Sequence, residues 1–353
     1  MVPARLGYAQ SMNDHPPDDA HDAHDAHDAH DAQDAQDAQD AELAPITRSD
    51  IEAARERIAG DVRHTPLMRM PGRALGIGCA ELWLKLEQLQ LGGSFKARGM
   101  FNRMRAHELP AAGVIVASGG NAGIAVAVAA RALGVRAEVF VPVTSSPAKQ
   151  ARLRELGALL TVGGASYADA LAASALRQAE TGALPMHAYD QRDVVIGAGT
   201  LAAEVEAEAG LPDRALVSVG GGGLIAGIAS WFAHRTWIDA LEPALAPTLH
   251  AARAAGEPVD VAVSGIAADS LGARRIGRIA WRVTQAHVNA SHLLDDAAIA
   301  AAQEAMWKEL RLAVEPAAAL PLAALMTGTV VPREGEKVLL VVCGANRELT
   351  APR

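Results

Sequence analysis

The chain has 353 residues, of which 50% are hydrophobic and 3% aromatic, and its formal net charge is −9. Eleven acidic side chains lie within residues 1–43 against one basic residue, Arg5, so the rest of the chain is close to neutral. This length suggests two domains with a buried core, while the near-neutral remainder argues against nucleic-acid binding. No apolar run approaches the roughly 20 residues that span a bilayer, which argues against a membrane partner.

The N-terminal segment is a tripeptide repeat, His-Asp-Ala over residues 21–32 and Gln-Asp-Ala over residues 33–41. A period of three matches neither a helix face nor a strand, so we expect residues 1–43 to be a disordered low-complexity tail. Its four repeat histidines also allow weak metal binding. The first residues contain no apolar signal-peptide core. Because Cys79 and Cys343 show no paired spacing, we expect reduced thiols and a cytoplasmic protein.

Strand-like and helix-like segments alternate from Thr47 onward. We expect a cap at Ser49 to open the first helix, in which Ile51, Ala54 and Ile58 recur at helical spacing. Strand-like runs follow at residues 81–87, 113–118, 137–142, 215–219 and 337–342. The alternation predicts an α/β fold with mainly parallel sheets. Ligands of such folds bind at the carboxyl ends of the strands.

The first candidate for chemistry is Lys96, within Gly92–Gly99 and directly after a predicted strand. Partial burial lowers the pKa of a lysine and makes its amine a nucleophile for imine formation, and the adjacent Phe95 could cover a flat cofactor. A surface lysine is the alternative.

Three further motifs follow predicted strands. Ser118–Gly123 and Gly220–Gly223 each lie between a strand and a helix, where small residues let backbone N–H groups approach an anion. A tight strand-to-helix turn is the alternative for the first of them. The glycine run is neither a Walker loop nor a GxGxxG motif. Cys343 follows the last strand, where its thiol either faces a site or is an inert buried group.

In this order, the motifs resemble the fold-type II pyridoxal-phosphate (PLP) enzymes, and among them the serine/threonine dehydratase (threonine ammonia-lyase) group, which is related to serine racemase. The resemblance runs from about Thr65 to Asn346. It also includes segments at residues 147–157, 197–200, 242–243 and 314–316. It implies a tryptophan synthase β-like fold with two open twisted α/β domains and the cofactor in the cleft between them. We expect a large domain at 44–108 and 190–353, and a small domain at 109–189.

The resemblance also assigns roles to individual residues. Lys96 would form an imine with pyridoxal 5'-phosphate and then act as the catalytic base at Cα, while Phe95 would lie against one face of the cofactor ring. Asn121 would bind its phenolic oxygen, and Cys343 would meet its pyridine nitrogen. The 5'-phosphate would be bound by Gly220, Gly221, Gly222 and Gly223. The substrate carboxylate would be held by Ser118, Gly119, Gly120, Asn121 and Ala122.

The identity of the residue at the pyridine nitrogen bears on the reaction. A thiol, unlike an aspartate, leaves that nitrogen neutral and the ring a weaker electron sink. Such a sink suits β-elimination, in which a β-hydroxyl leaves. The resemblance therefore implies conversion of L-threonine or L-serine to 2-oxobutanoate or pyruvate plus ammonia.

The related serine racemases set an alternative and expose two departures. The racemase loop places a serine immediately before its Gly-Asn pair, whereas this chain has Gly119 there, so dehydration is favoured over racemisation. Many relatives have His where this chain has Ala122. Some relatives also bind a divalent cation, and a divalent or monovalent cation would here use Glu242 and the carbonyl of Ala246. The later carboxylate ligand falls at Thr248, which lacks one.

Several alternatives stay open at this stage. They are a diaminopropionate ammonia-lyase or β-replacement synthase of the same fold, a catalytically idle PLP-binding sensor, and a protein that works through its histidine tail. Deletion of residues 1–43 would test the last, because we expect unchanged turnover. The sequence does not decide between serine and threonine, since one methyl group is worth only roughly 1–3 kcal/mol in a pocket. The family expectation is a homodimer that acts on a small amino acid.

Overall fold

The computed structural model describes Met1, residues 41–78 and residues 81–346. Cys79, the repeat histidines and most of the expected tail lie outside these described residues. In the part of the chain that is described, no helix is long and apolar enough to cross a membrane.

Strands and helices alternate along the described chain, as the sequence predicts. The strands are β1 Leu67–Pro71, β2 Glu81–Lys85, β3 Val114–Ala117, β4 Ala137–Val141, β5 Leu159–Val162, β6 Leu184–Pro185, β7 Arg214–Ser218, β8 Trp237–Pro243, β9 Ala290–Leu294 and β10 Lys337–Val341. The helices are α1 Arg48–Ile58, α2 Lys96–Ala106, α3 Asn121–Leu133, α4 Pro147–Glu155, α5 Tyr167–Thr181, α6 Arg192–Ala209, α7 Gly223–Phe232, α8 Thr248–Ala255, α9 Arg278–His287, α10 Asp296–Leu310 and α11 Pro316–Met326. Single 3-10 turns occupy 72–75, 87–89, 91–93 and 233–235.

The first helix is capped by Thr47, so the expected cap at Ser49 is wrong. The Thr47 hydroxyl accepts from the Asp50 amide at 3.2 Å, and the Asp50 carboxylate accepts from the Thr47 amide at 2.8 Å. This reciprocal capping box forms because the acidic partner stands three residues after Thr47. The apolar face of α1 is as predicted, since Ile51, Ala54 and Ile58 are all buried.

Two sheets organise the described chain, and both are mainly parallel. The first has the strand order β1-β2-β10-β7-β8-β9, and the second has the order β5-β4-β3-β6. Only the β1–β2 ladder is antiparallel among the described pairs. The α/β prediction is therefore confirmed. Its consequence is that the turns after β3 and β4 meet at one sheet edge, and those after β2, β7 and β10 meet at the edge of the other.

The sheets follow the expected domain ranges, although residues 45–353 form one compact unit. The strands of the four-stranded sheet all fall between Val114 and Pro185, within the expected small domain. Strands of the six-stranded sheet fall outside it on both sides. The boundaries of two separate domains stay a prediction.

Close helix crossings explain the glycines of Gly197–Thr200. A Cβ atom on Gly197 would lie 2.6 Å from the carbonyl oxygen of Arg98, and one on Gly199 would lie 2.8 Å from that of Gly227. Only glycine allows α6 to approach α2 and α7 this closely. Helix α2 begins at Lys96, so this packing fixes the axis on which that lysine is mounted.

Candidate active site

Lys96 is the first residue of α2 and is partly buried. Two 3-10 turns separate it from β2, so the expectation that it directly follows a strand is wrong. Its Nζ donates a hydrogen bond to the carbonyl oxygen of Ala188 at 2.6 Å and lies 4.8 Å from the centre of the Phe95 ring. Burial lowers the pKa of Lys96 to about 8, although the nearby Cys343 and Glu315 oppose the shift. A substantial fraction of the amine is therefore uncharged near neutral pH.

The loop that carries Lys96 is joined to the chain just beyond β10. The Phe95 amide donates to the Cys343 carbonyl at 3.0 Å, and the Ala345 amide donates to the Gly93 carbonyl at 2.9 Å. A bridge between Ser94 and Gly344 lies between these two bonds. The Lys96 and Cys343 motifs, far apart in sequence, thus form one structural unit.

Cys343 is a free, buried thiol with 3% of its surface exposed. Burial raises the pKa of this thiol well above its ordinary value, and the neighbouring Glu315 raises it further. The sulfur therefore stays protonated and neutral at physiological pH. Its proximity to Lys96 excludes, for this thiol, the alternative of an inert group remote from the site.

Asn121, the first residue of α3, belongs to a polar cluster that sequence reasoning missed. Its Nδ2 donates to both carboxylate oxygens of Glu315, at 2.9 and 3.0 Å. Its Oδ1 accepts from Nδ2 of Asn346 at 2.8 Å, and the same nitrogen lies 2.7 Å from the Gly92 carbonyl. The amide plane of Asn121 is fixed from both sides. Its contact with a cofactor stays a prediction.

Glu315 is the member of this cluster that the sequence did not single out. Only 3% of its surface is exposed, and burial raises its pKa to about 7 even though Asn121 and Lys96 favour the carboxylate. A Cβ atom on Gly344 would lie 2.5 Å from its Oε1, so a glycine is required there. The Glu-Pro pair of residues 315–316 was the available signal, because a glutamate before an N-terminal helix proline is otherwise usually exposed.

The turn Ser118–Gly123 connects β3 to α3, as the sequence predicts. Gly123 has to be glycine, because a Cβ atom there would lie 1.9 Å from the Ser118 carbonyl oxygen. Helix α3 begins at Asn121, so the N–H groups of its first turn have no intrahelical acceptor. These amides form an anion-binding helix N-terminus. The expected role of Ser118, Gly119, Gly120 and Ala122 as substrate ligands fits this geometry and stays a prediction.

Gly220–Gly223 connect β7 to α7 and are glycines for reasons of packing as well as conformation. A Cβ atom on Gly221 would lie 2.3 Å from the ring of Tyr189, and Gly222 has a positive φ of 87°. The Gly221 carbonyl accepts from the Gly277 amide at 3.0 Å, which holds the turn open. The first amides of α7 lack intrahelical acceptors. A phosphate is the ligand that such a turn favours.

Glu242 and Ala246, the predicted cation ligands, are committed to other contacts. The fully buried Glu242 carboxylate accepts from the amides of Leu249 at 2.7 Å and His250 at 2.8 Å, and so caps α8. The Ala246 carbonyl accepts from the Thr248 amide at 3.2 Å. The described residues contain no group of three or more His, Cys, Asp or Glu side chains placed to hold a metal. A cation at Glu242 and Ala246 stays a prediction.

The arrangement fits pyridoxal phosphate. It offers an amine of lowered pKa beside an aromatic ring, a helix N-terminus with a glycine turn for a phosphate, and a neutral thiol beside the amine. The buried hydroxyl of Ser94, two residues before Lys96, has no hydrogen-bond partner among the described residues and is available to a bound group. The residues present therefore suit an imine-forming, phosphate-bearing cofactor.

Comparison with known proteins agrees with this geometry. The profile of the family described as pyridoxal-phosphate dependent enzyme matches residues 58–344. The L-threonine ammonia-lyase of Geobacter sulfurreducens is 37% identical over 303 residues, covering 84% of this chain and 74% of that protein.

Two solved structures are similar over most of their length. Maize serine racemase matches with a TM-score of 0.81 and 30% identity, covering 86% of this chain and 95% of the racemase. A threonine deaminase from the source abbreviated T.th. matches with a TM-score of 0.81 and 31% identity, covering 87% of this chain and 100% of the deaminase. The chain therefore belongs to the pyridoxal-phosphate-dependent enzymes of fold type II, in the serine/threonine dehydratase family.

Proposed function

We propose that this chain removes water and ammonia from L-threonine, L-serine or both, and releases 2-oxobutanoate or pyruvate. The observation that carries the proposal is the neutral, buried Cys343 thiol joined to the Lys96 loop through the Phe95 amide. A neutral thiol at the cofactor's nitrogen suits elimination of a β-hydroxyl. The threonine ammonia-lyase and threonine deaminase relatives support the same substrates.

The proposed reaction uses a small number of groups. When bound, pyridoxal phosphate supplies an electron-withdrawing aldehyde carbon that acidifies the Cα hydrogen of an amino acid. Lys96, with a pKa of about 8, removes that proton, because its neutral form is available near physiological pH. The β-hydroxyl then leaves as water. Hydrolysis of the resulting enamine consumes one water and yields the 2-oxo acid and ammonia.

The remaining site residues bind and orient. We propose that the amides of Gly220–Gly223 bind the cofactor phosphate, that Phe95 lies against its ring and that Asn121 binds its phenolic oxygen. Glu315 is then a positioning residue, since it holds the Asn121 amide through two hydrogen bonds. We further propose that Ser118–Ala122 hold the substrate carboxylate at the N-terminus of α3. Closure of the cleft between the expected small and large domains would exclude water.

Racemisation is the second candidate, favoured by the likeness to maize serine racemase. It requires a proton donor on the face of Cα opposite Lys96. The position at which the racemase loop has its serine is Gly119, which carries no side chain. This departure supports dehydration as the main reaction.

We also propose that the chain acts as a homodimer in the cytoplasm. The homodimer rests on the family expectation. The cytoplasm is supported by the free thiol of Cys343, which an oxidising compartment would disfavour. Light scattering during size-exclusion chromatography gives the oligomeric state directly, and a monomeric mass would contradict the dimer.

The test is an absorbance spectrum of the purified protein before and after addition of L-threonine or L-serine, with 2-oxo acid release followed in parallel. We expect a visible band of lysine-bound cofactor, its change on substrate addition, and oxo acid release. A band without oxo acid contradicts dehydration and favours racemase, β-replacement or sensor functions, which a panel with D-serine, O-acetylserine and diaminopropionate separates. No band after reconstitution with the cofactor contradicts the whole proposal.

A further inference from the structure

The hydroxyl of Ser145 is a buried group without an assigned role. Ser145 lies in the turn between β4 and α4, where its amide donates to the Pro142 carbonyl at 3.0 Å and its carbonyl accepts from Nε2 of Gln150 at 3.0 Å. Its Oγ is buried and has no hydrogen-bond partner among the described residues. The backbone of Ser145 is thus fixed, while its hydroxyl is free to bind a ligand.

Capping of α4 does not explain this hydroxyl. The cap is the next residue, Ser146, whose Oγ accepts from the Lys149 amide at 3.4 Å. A buried hydroxyl without a partner lowers stability, so an apolar residue would suit position 145 better if the role were only structural. Its retention points to a polar ligand.

The hydroxyl lies beside Gly119, in the turn proposed to hold the substrate carboxylate. A Cβ atom on Gly119 would lie 3.0 Å from the Oγ of Ser145 and 3.8 Å from its Cβ. Strands β3 and β4 are adjacent and parallel, so both turns leave the same edge of the sheet. The Ser145 hydroxyl therefore occupies space that a side chain at position 119 would otherwise fill.

The charges around this turn are compatible with an anionic ligand. The first-turn amides of α3 point toward the turn and favour a carboxylate. The carboxylate of Asp269 is paired with Lys149 at 2.9 Å, which offsets its negative charge near the turn. A hydroxyl adds a donor to these amides where Gly119 has none.

We propose that Ser145 is a substrate-binding residue whose hydroxyl donates a hydrogen bond to the substrate carboxylate, in place of the side-chain donor missing at Gly119. The inference rests on the proposed function, since it takes Ser118–Ala122 as the carboxylate site. It predicts that Ser145 contributes to affinity for the amino acid and not to cofactor attachment.

The test is titration of the cofactor-loaded enzyme with L-alanine, which has the carboxylate and amine of the substrate but no β-leaving group. We expect Ser145→Ala to weaken alanine binding by about tenfold, the scale of one hydrogen bond to a charged group. The KM for L-serine should rise similarly with kcat largely retained, because the bond is present both before and during the reaction. Cofactor content should not change.

Ser146→Ala is the matched control, because it removes a neighbouring hydroxyl that already has a structural role. It should lower the melting temperature through loss of the α4 cap and leave alanine affinity unchanged. The double variant Ser145→Ala with Gly119→Ser moves the hydroxyl across the contact and should recover part of the lost affinity. Gly119→Ser alone should recover nothing, because its Cβ would crowd the Ser145 hydroxyl at 3.0 Å.

The outcomes separate this inference from the proposed function. Unchanged alanine affinity and KM in Ser145→Ala, alongside normal oxo acid release by the wild type, overturn the role of Ser145 and leave the dehydratase function intact. A wild type that binds alanine but releases no oxo acid overturns the dehydratase function, and the alanine titration still decides the role of Ser145. A loaded wild-type enzyme that does not bind alanine overturns both.

Discussion

Replacing Arg98 by methionine should destabilise the protein strongly, because its guanidinium neutralises two buried carboxylates. It makes two hydrogen bonds to Glu87, both at 2.8 Å, and two to Glu204, at 2.6 and 2.8 Å. Lys85 completes the cluster by a contact of 2.8 Å with Glu204. The side chains of Arg98, Lys85 and Glu87 are 0% exposed, and that of Glu204 is 8% exposed.

The magnitude follows from the charge that would remain. The cluster holds two cations and two anions, so Arg98→Met leaves two buried carboxylates with only Lys85 to balance them. Breaking a buried ion pair in this way costs about 3–5 kcal/mol. Arg98 follows Lys96 by two residues on α2, so cofactor affinity should fall as well.

Urea unfolding of the cofactor-free proteins measures this loss without a contribution from bound ligand. Arg105→Met is the matched control, since Arg105 is on the same helix and makes two similar bonds to Asp61, at 2.9 and 2.8 Å, with its side chain 47% exposed. A surface pair contributes less than about 1 kcal/mol. Equal losses in the two variants would contradict the proposed importance of the buried cluster.

Two further predictions concern the cofactor site. Gly221→Ala should weaken cofactor affinity at least tenfold, because the new Cβ would lie 2.3 Å from the Tyr189 ring and distort the turn. Equilibrium dialysis measures this, with Gly60→Ala, where a Cβ meets nothing within 4 Å, as the control that should not change. The rate of cofactor attachment to the cofactor-free protein should rise with pH with a midpoint near about 8, because neutral Lys96 is the nucleophile. A midpoint near 10.5, the ordinary lysine value, would contradict the effect of burial.

The sequence identified the segments of the site because each one is local. Ser118–Gly123 and Gly220–Gly223 mark strand-to-helix turns by composition alone, and the structure places them there. The alternation of runs predicted the parallel sheets for the same reason. The helix cap was misplaced by two residues, because both Thr47 and Ser49 suit a cap and only the reciprocal bond with Asp50 distinguishes them.

The missed residues depend on contacts between distant parts of the chain. Glu315 binds Asn121 across 194 positions, and no local pattern reports this pairing. Tyr189 matters because its ring packs on Gly221, and Ser145 matters because it lies beside Gly119. Glu242 was expected to bind a cation, yet its carboxylate caps α8, which becomes evident only from the three-dimensional path of the chain.

The most direct test of the proposed site is to identify the lysine that carries the cofactor. Borohydride reduction of the loaded enzyme fixes the cofactor to its lysine, and peptide mass spectrometry then locates the added mass. We expect it on the peptide that contains Lys96, with no labelling of Lys96→Ala. Attachment instead to Lys85 or Lys149, or labelling that persists in Lys96→Ala, would contradict the assignment of the active site to Lys96.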